Sequence, residues 1–173
     1  MKISLCIPMY NEAKIAADTA RTLWDAMAEN RRRHGWDFEI LFADDGSLDD
    51  CGDRVRAVAA QGKDEIRVVG YEKNRGKGGA VREAVLASGG DIVIYTDCDL
   101  AYGTDVIADA VLRYENGVDA VIGNNEKTTI PDVAERIPVK KYIDVYTRAE
   151  AVKEKGGLAL ISFSDMAELA ESK

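Results

Sequence analysis

Two kinds of apolar pattern alternate along the first 125 residues of the chain. Short unbroken apolar runs predict buried strands at residues 3–8, 38–43, 66–71, 91–96 and 118–122. Between them, apolar residues spaced three and four apart predict amphipathic helices, the first with Ile15, Thr19, Leu23 and Met27 on one stripe. Strands that alternate with helices through short loops form βαβ units. We therefore expect an α/β fold, a mostly parallel, doubly wound sheet with helices on both faces.

Capping and turn residues predict where the helices begin and end. Ser47, followed three residues later by Asp50, is typical of an N-cap pair and predicts the start of the second helix. The glycines of Ser88-Gly89-Gly90 predict the end of the third helix, and Thr104 predicts the start of the fourth.

The pattern changes after residue 125. Residues 126–138 are polar and contain two of the three prolines, which predicts an irregular segment. Residues 147–155 favour a helix, 158–163 a strand, and the segment from 164 onward a short helix. We expect a ligand-binding domain at 1–125 and, at 126–173, a short αβα-like extension of the same domain.

The amino-acid composition limits the kinds of partner that the protein is expected to bind. The 173 residues are 46% hydrophobic, which suits one domain with a proper core, and the net charge of −8 argues against nucleic acid as a partner. No apolar run reaches the ~18 residues of a membrane-spanning helix, and no signal peptide is visible after Met1. The three cysteines form no C-x-x-C pair and are expected to be reduced thiols. We expect a cytoplasmic protein without a transmembrane segment in this chain.

Polar residues follow four of the predicted strands at the point where each strand ends. They are the segments 10–12, 44–47, 74–77 and 97–99. The carboxyl ends of parallel strands meet at one edge of a sheet, and ligands of open α/β sheets bind there. The sequence therefore predicts a single polar site at this edge.

The most specific of these segments contains two aspartates at spacing i, i+2. In extended backbone Asp97 and Asp99 point to the same side, whereas Cys98 points to the other and is expected to pack on the sheet. Two hard oxygen ligands suit Mg²⁺ or Mn²⁺, which could also bind a diphosphate. A solvated turn is the alternative, because aspartate is common in turns.

The other segments supply groups that suit a nucleotide. Tyr10 offers a ring for a base to stack on, while Glu12 and Asp44 could accept hydrogen bonds from a base or ribose. Helix initiation by Glu12 and turn closure by Asp44 are the structural alternatives. Arg75 and Lys77 stand among glycines before a predicted helix, an arrangement that favours phosphate binding. Together the segments predict a pocket for a nucleoside diphosphate with a metal ion.

At this point the sequence resembles a known family, the inverting family 2 glycosyltransferases. The likeness is nearest to the polyprenyl-phosphate (dolichol-phosphate type) mannosyl- and glucosyltransferases, and it covers residues 1 to about 125. It rests on four blocks in the same order: IPMYNE at 7–12, ADDGSLD at 43–49, NRGKGGA at 74–80 and TDCDL at 96–100. The resemblance implies a Rossmann-type nucleotide-diphospho-sugar transferase (GT-A-like) fold.

The resemblance also implies functional residues. The implied donor-binding residues are Pro8, Tyr10, Glu12, Asp44, Lys77, Asp97, Cys98 and Asp99. Arg75 and Lys77 would contact the diphosphate, and Asp97 and Asp99 would bind Mg²⁺ or Mn²⁺. The implied reaction transfers a sugar from a nucleotide-diphospho-sugar such as UDP-glucose or GDP-mannose, with inversion, to an acceptor such as a polyprenyl phosphate at the inner membrane face. A homo-oligomer or a partner subunit is also compatible with this family.

Two other functions stay open from the sequence. A nucleotidyltransferase also combines an α/β sheet with metal-binding aspartates, although residues 8–12 lack the Gly-rich signature expected after its first strand. A shortened, catalytically silent nucleotide-sugar-binding module would explain why 126–173 match no segment of the family. No general base is assigned, because Asp132, Asp144 and Asp165 are equivalent candidates.

Overall fold

The molecule is built around one parallel sheet. The computed structural model describes residues 1–115, 142–143 and 158–162. Its strands are β1 (Lys2–Met9), β2 (Asp37–Asp44), β3 (Ile66–Gly70), β4 (Ile92–Tyr95), β5 (Tyr142–Ile143) and β6 (Leu158–Ser162). They are arranged in the order β3-β2-β1-β4-β6-β5, and every pairing is parallel. The predicted α/β sheet is confirmed.

Among the described residues, four helices cover the two faces of this sheet. They are α1 (Ala16–His34), α2 (Cys51–Ala59), α3 (Lys77–Ala87) and α4 (Asp105–Glu115). Helices α1, α2 and α4 bury their apolar residues in one cluster with Ile40 of β2, while α3 packs in a second cluster with the neighbouring Leu41. Because successive residues of a strand face opposite sides, each central strand contributes to both clusters. This arrangement confirms the doubly wound architecture.

Most predicted elements have their counterparts in the structure. The strand predicted at 158–163 is β6, and α4 begins one residue after Thr104. The strand predicted at 118–122 and the helices predicted at 147–155 and from 164 onward lie outside the described residues. The domain boundary at residue 125 stays a prediction.

The predicted N-cap of α2 is wrong. Helix α2 begins at Cys51, and the side chain of its N-cap residue, Asp50, makes no capping hydrogen bond. The Cys51 N–H instead donates to Oδ1 of Asp49 at 3.1 Å. The Ser47 hydroxyl instead accepts a hydrogen bond from the Asn11 backbone N–H at 3.0 Å, and the Asp50 carboxylate pairs with Arg54 at 2.7 Å. The Ser47 hydroxyl can accept a hydrogen bond either from the helix or from another part of the chain. Here it bonds to the loop after β1, so it does not cap α2.

Strand register brings the ends of the central strands together. Met9 at the end of β1 pairs with Asp44 at the end of β2, and Cys6 of β1 pairs with Tyr95 at the end of β4. The loops that follow these strands therefore emerge from the same edge of the sheet. Within the part of the chain that the structure describes, no helix has the length and apolar character needed to cross a bilayer.

Candidate functional site

A cleft of about 450 Å³ opens at this edge of the sheet. We call it the central cleft. It is lined by Pro8, Met9, Tyr10, Glu12, Asp45, Asn74, Gly76, Lys77, Ala80, Asp97, Cys98 and Asp99. The structure thus gathers in one place all of the predicted donor-binding residues except Asp44. Their individual roles stay predictions.

The loops after β1 and β2 are joined by reciprocal hydrogen bonds. The Asn11 N–H donates to the Ser47 hydroxyl at 3.0 Å, and the Leu48 N–H donates to the Asn11 side-chain oxygen at 2.8 Å. Asn11 has a φ of 56°, a left-handed conformation that asparagine tolerates better than most residues. These bonds fix the loop that presents Tyr10, whose ring is partly exposed at the cleft.

The two consecutive aspartates after β2 face different clefts. Asp45 is 3% exposed and lines the central cleft. Asp44 lines a neighbouring cleft of about 730 Å³, and its Oδ1 accepts the Ser47 N–H at 2.8 Å. Asp44 was the residue predicted to bind the donor, and no role was predicted for Asp45. In the sequence, the only sign that Asp45 could face the site was its position beside Asp44 at the end of a strand. The role of Asp44 stays a prediction.

Asp45 connects the β2 loop to the loop that precedes α3. Its Oδ1 accepts the Tyr71 hydroxyl at 2.6 Å and the Arg75 backbone N–H at 2.8 Å. Burial of the Tyr71 hydroxyl, together with the Asp45 carboxylate beside it, raises the pKa of Tyr71. The phenol therefore stays protonated and donates to Asp45 throughout the ordinary pH range.

Gly46 allows the same two loops to touch. Its φ is 70°, and a Cβ atom at this position would lie 2.7 Å from the Asn74 nitrogen and from the Glu72 carbonyl oxygen. Only glycine fits this close approach of two backbones. The residue therefore sets the path of the loop that brings Asn74 and Gly76 to the central cleft.

Arg75 and Lys77, the two basic residues nearest the start of α3, have different surroundings. Lys77, the first residue of α3, points into the central cleft and its Nζ lies 2.7 Å from Oδ1 of Asp97. The Arg75 guanidinium instead stacks over the Tyr71 ring, 4.2 Å from its centroid, and Arg75 does not line the central cleft. Lys77 thus lies in the central cleft and Arg75 does not, and the phosphate contacts predicted for both residues stay predictions.

Asp97 and Asp99 fit the requirements of a hydrated divalent cation. Both line the central cleft, and Asp99 is exposed with its Oδ1 accepting the Ala101 N–H at 3.1 Å. No cluster of three or more potential metal-ligating side chains occurs among the described residues. Mg²⁺ and Mn²⁺ sites in phosphate-binding proteins use one or two carboxylates and take the remaining ligands from water and phosphate. The donor set present here matches that chemistry.

Cys98 lies between these aspartates and is buried against the sheet. Its side chain belongs to the same apolar cluster as α1 and α2. Burial raises the pKa of the Cys98 thiol to about 12, so the group stays a neutral thiol. A neutral, buried thiol is a poor metal ligand, and metal binding by the Asp97 and Asp99 carboxylates stays a prediction. The candidate bases Asp132, Asp144 and Asp165 lie outside the described residues.

Comparison with known proteins gives a consistent match. The profile of Glycosyl transferase family 2 matches residues 4–163. The dolichyl-phosphate beta-glucosyltransferase of Mus musculus is 35% identical over 104 residues, which cover 57% of this chain and 31% of that protein. The dolichol-phosphate mannosyltransferase of Pyrococcus furiosus is 27% identical over 124 residues, 72% of this chain and 33% of that protein.

A solved structure agrees with these relatives. The mannosyltransferase of Pyrobaculum calidifontis in complex with GDP-Man and Mn²⁺ superposes with a TM-score of 0.54 and 28% identity, over 63% of this chain and 31% of that one. The chain thus spans about a third of the length of these three proteins. The match confirms the Rossmann-type α/β architecture implied by the sequence.

Proposed function

This chain belongs to glycosyl transferase family 2, and we propose that it transfers a sugar from a nucleotide-diphospho-sugar to an acceptor. The observation that supports the proposal most strongly is the central cleft, where Lys77 and the Asp97–Asp99 pair converge. A cation and a pair of carboxylates in one cleft suit a diphosphate and its metal ion. A nucleotidyltransferase is the weaker explanation, because the family match supports glycosyl transfer.

Donor binding follows from the chemistry of the cleft. The exposed ring of Tyr10 provides a surface for the base, and Glu12 provides an acceptor for base or ribose donors. Asp45 adds another carboxylate at the same cleft, and one of its oxygens already accepts a hydrogen bond from Tyr71. The Pyrobaculum calidifontis mannosyltransferase is complexed with GDP-Man and Mn²⁺. We therefore propose a donor of the GDP-mannose or UDP-glucose type.

The reaction would develop negative charge on the diphosphate, next to Lys77 and the two aspartates. The bond between the sugar C1 and the diphosphate oxygen breaks, and its electron pair stays on the departing nucleoside diphosphate. Lys77 would offset part of this charge, and Asp97 and Asp99 would hold the Mg²⁺ or Mn²⁺ ion. When bound, the ion supplies Lewis-acid stabilisation of the leaving group.

An acceptor oxygen attacks C1 from the face opposite the diphosphate, which inverts the configuration. A hydroxyl acceptor would deliver its proton to a general base, whereas a lipid phosphate is already ionised and needs none. The names of the Mus musculus and Pyrococcus furiosus relatives contain a dolichyl or dolichol phosphate. A polyprenyl phosphate at a membrane surface is therefore the acceptor we propose.

A binding and turnover panel tests this function. Titration with UDP-glucose, GDP-mannose and UDP-N-acetylglucosamine, with and without Mn²⁺, should show Mn²⁺-dependent binding of one donor. Transfer to a polyprenyl phosphate in detergent, or slow hydrolysis of the donor, should follow. Metal-dependent binding without either reaction would favour the catalytically silent module. No binding of any donor would refute the proposed function.

A further inference from the structure

Thr19 is a polar residue in the apolar stripe of α1. It is 5% exposed and lies one helical turn from the buried Leu23 and next to the buried Ala20. A buried hydroxyl costs stability unless it makes a hydrogen bond. In a helix the usual acceptor for threonine is the carbonyl four residues earlier, which here is Ile15. The Thr19 hydroxyl has a different acceptor.

The hydroxyl of Thr19 donates to the backbone carbonyl of Cys98 at 2.6 Å. This bond joins α1 to the turn after β4 across 79 positions of the sequence. Cys98 is the residue between Asp97 and Asp99, and its thiol is buried in the cluster that includes α1. Both the side chain and the carbonyl of Cys98 are therefore anchored on the helix side of the sheet.

The orientation of that carbonyl constrains the backbone that carries Asp99. The Cys98 carbonyl belongs to the planar peptide that leads into Asp99, so fixing its oxygen fixes the plane from which the Asp99 side chain departs. The turn that contains Cys98 and Asp99 is closed by a hydrogen bond from the Leu100 N–H to the Asp97 carbonyl at 3.2 Å. Leu100 has a left-handed φ of 50°. The Thr19 bond ties this turn to a long helix.

We propose that Thr19 is a positioning residue for the carboxylate pair of the central cleft. It contacts neither metal nor donor, and acts through the Cys98 carbonyl to orient Asp99 toward the cation that the diphosphate requires. The inference rests on the proposed function. Partners that orient metal ligands from outside the coordination sphere commonly change metal affinity ~10- to 100-fold when they are mutated.

Three variants separate this role from ordinary packing. Thr19→Val keeps the shape of the side chain and removes the hydroxyl, whereas Thr19→Ser keeps the hydroxyl and removes the methyl group. Thr22→Val makes the same chemical change on an exposed position of the same helix. If Thr19→Val does not fold, Thr19→Ala replaces it, and the comparison with Thr19→Ser is unchanged.

The first measurement is calorimetric binding of GDP and of UDP over a series of Mn²⁺ concentrations. Thr19→Val should raise the Mn²⁺ concentration for half-maximal nucleotide binding about ten-fold and leave nucleotide binding without metal unchanged. Thr19→Ser and Thr22→Val should match the native protein. An unchanged Mn²⁺ dependence in Thr19→Val, or equal damage in Thr19→Ser, would overturn the assignment.

The second measurement needs no nucleotide. Hydrogen exchange of the Leu100, Ala101 and Gly103 amides reports on the turn, because all three donate to acceptors within it. Thr19→Val should speed their exchange relative to amides of β1 and β2, and Thr19→Ser should restore it. Uniform acceleration across the chain would show a merely structural role. If the native protein binds neither nucleotide, the proposed function fails, and unchanged exchange at the three amides would separately refute the positioning role.

Discussion

Lys77 Nζ lies 2.7 Å from Oδ1 of Asp97 inside the central cleft. The two side chains are proposed to bind opposite charges, a phosphate for the lysine and a divalent cation for the aspartate. Each therefore competes with the other's ligand. A diphosphate that attracts Lys77 would release the Asp97 carboxylate toward the cation, so the ion pair couples the binding of donor and metal.

Lys77→Met should separate these two effects. We expect the variant to bind Mn²⁺ alone more tightly than the native protein, because Asp97 has lost its competing partner. Binding of GDP or UDP with Mn²⁺ should weaken by about ten-fold or more, the size expected for one charge-assisted hydrogen bond. Calorimetry measures both quantities. Lys73→Met, an exposed lysine of the preceding loop, serves as the control, and equal behaviour of the two variants would contradict the coupling.

Gly46→Ala should disrupt the contact between the loops after β2 and β3. The added Cβ would meet backbone atoms at 2.7 Å. Gly62→Ala is a matched control, since Gly62 has a φ of 81° with no atom within 4 Å of the new Cβ. The control should lose about 1–2 kcal/mol of unfolding free energy from the left-handed backbone alone. Gly46→Ala should lose more in urea denaturation and should also weaken nucleotide binding; equal losses would contradict the backbone contact.

The hydrogen bond between Tyr71 and Asp45 should be measurable as a coupling energy. Tyr71→Phe is expected to lower the free energy of unfolding by ~1 kcal/mol, because Asp45 loses a donor. Asp45→Ala should lower it by ~1–3 kcal/mol, because the Tyr71 hydroxyl and the Arg75 N–H lose their acceptor. The loss in the double variant should be smaller than the sum of the two single losses by at least ~0.5 kcal/mol. Urea unfolding measures all three values, with exposed Tyr10→Phe as the control. Strictly additive losses would refute the coupling.

Glu39 should make the fold sensitive to acid. Burial by itself raises the pKa of this carboxyl group, but hydrogen bonds from the Ser4 hydroxyl and the Gly89 N–H, with Lys2 nearby, lower the pKa below its ordinary 4.5. A carboxyl group with a lowered pKa in the folded state stabilises the fold fully above its ordinary pKa. This contribution is lost as the pH falls through the lowered pKa.

The variant Glu39→Gln tests that dependence. At neutral pH it should have a smaller free energy of unfolding than the native protein. The difference should shrink as the pH is lowered from 6 to 3, because protonation of native Glu39 makes it resemble glutamine. Urea unfolding at each pH measures the difference, with exposed Glu72→Gln as a control. A difference that stays constant over this range would contradict the lowered pKa.

The strands and helices were predictable because each depends on a local apolar pattern. β1 and β4 are unbroken apolar runs, and the apolar stripe of α1 was visible in the sequence. The alternation of strands with helices predicted a parallel sheet. In such a sheet the carboxyl ends of the strands form the site, so the edge could also be predicted. Most of the residues of the central cleft could therefore be named before the structure was known.

Choices that depend on long-range contacts were not predictable. Which of Asp44 and Asp45 faces the central cleft depends on the path of the turn, and that path is set by Gly46 against the loop after β3. Ser47 was predicted to cap α2 because its actual partner, Asn11, lies 36 positions away in the sequence. Thr19 was placed with the apolar stripe by its spacing alone, since the carbonyl that it contacts has no sequence signature.

The central claim is that Asp97 and Asp99 bind the cation of a nucleoside diphosphate at the central cleft. The most direct test is a crystal of the chain grown with Mn²⁺ and GDP or UDP, measured with manganese anomalous scattering. We predict an anomalous peak within direct coordination distance of an oxygen of Asp99, next to the diphosphate, with Lys77 on a phosphate oxygen. A nucleotide bound in the central cleft without manganese at either aspartate, or manganese bound elsewhere on the chain, would contradict it.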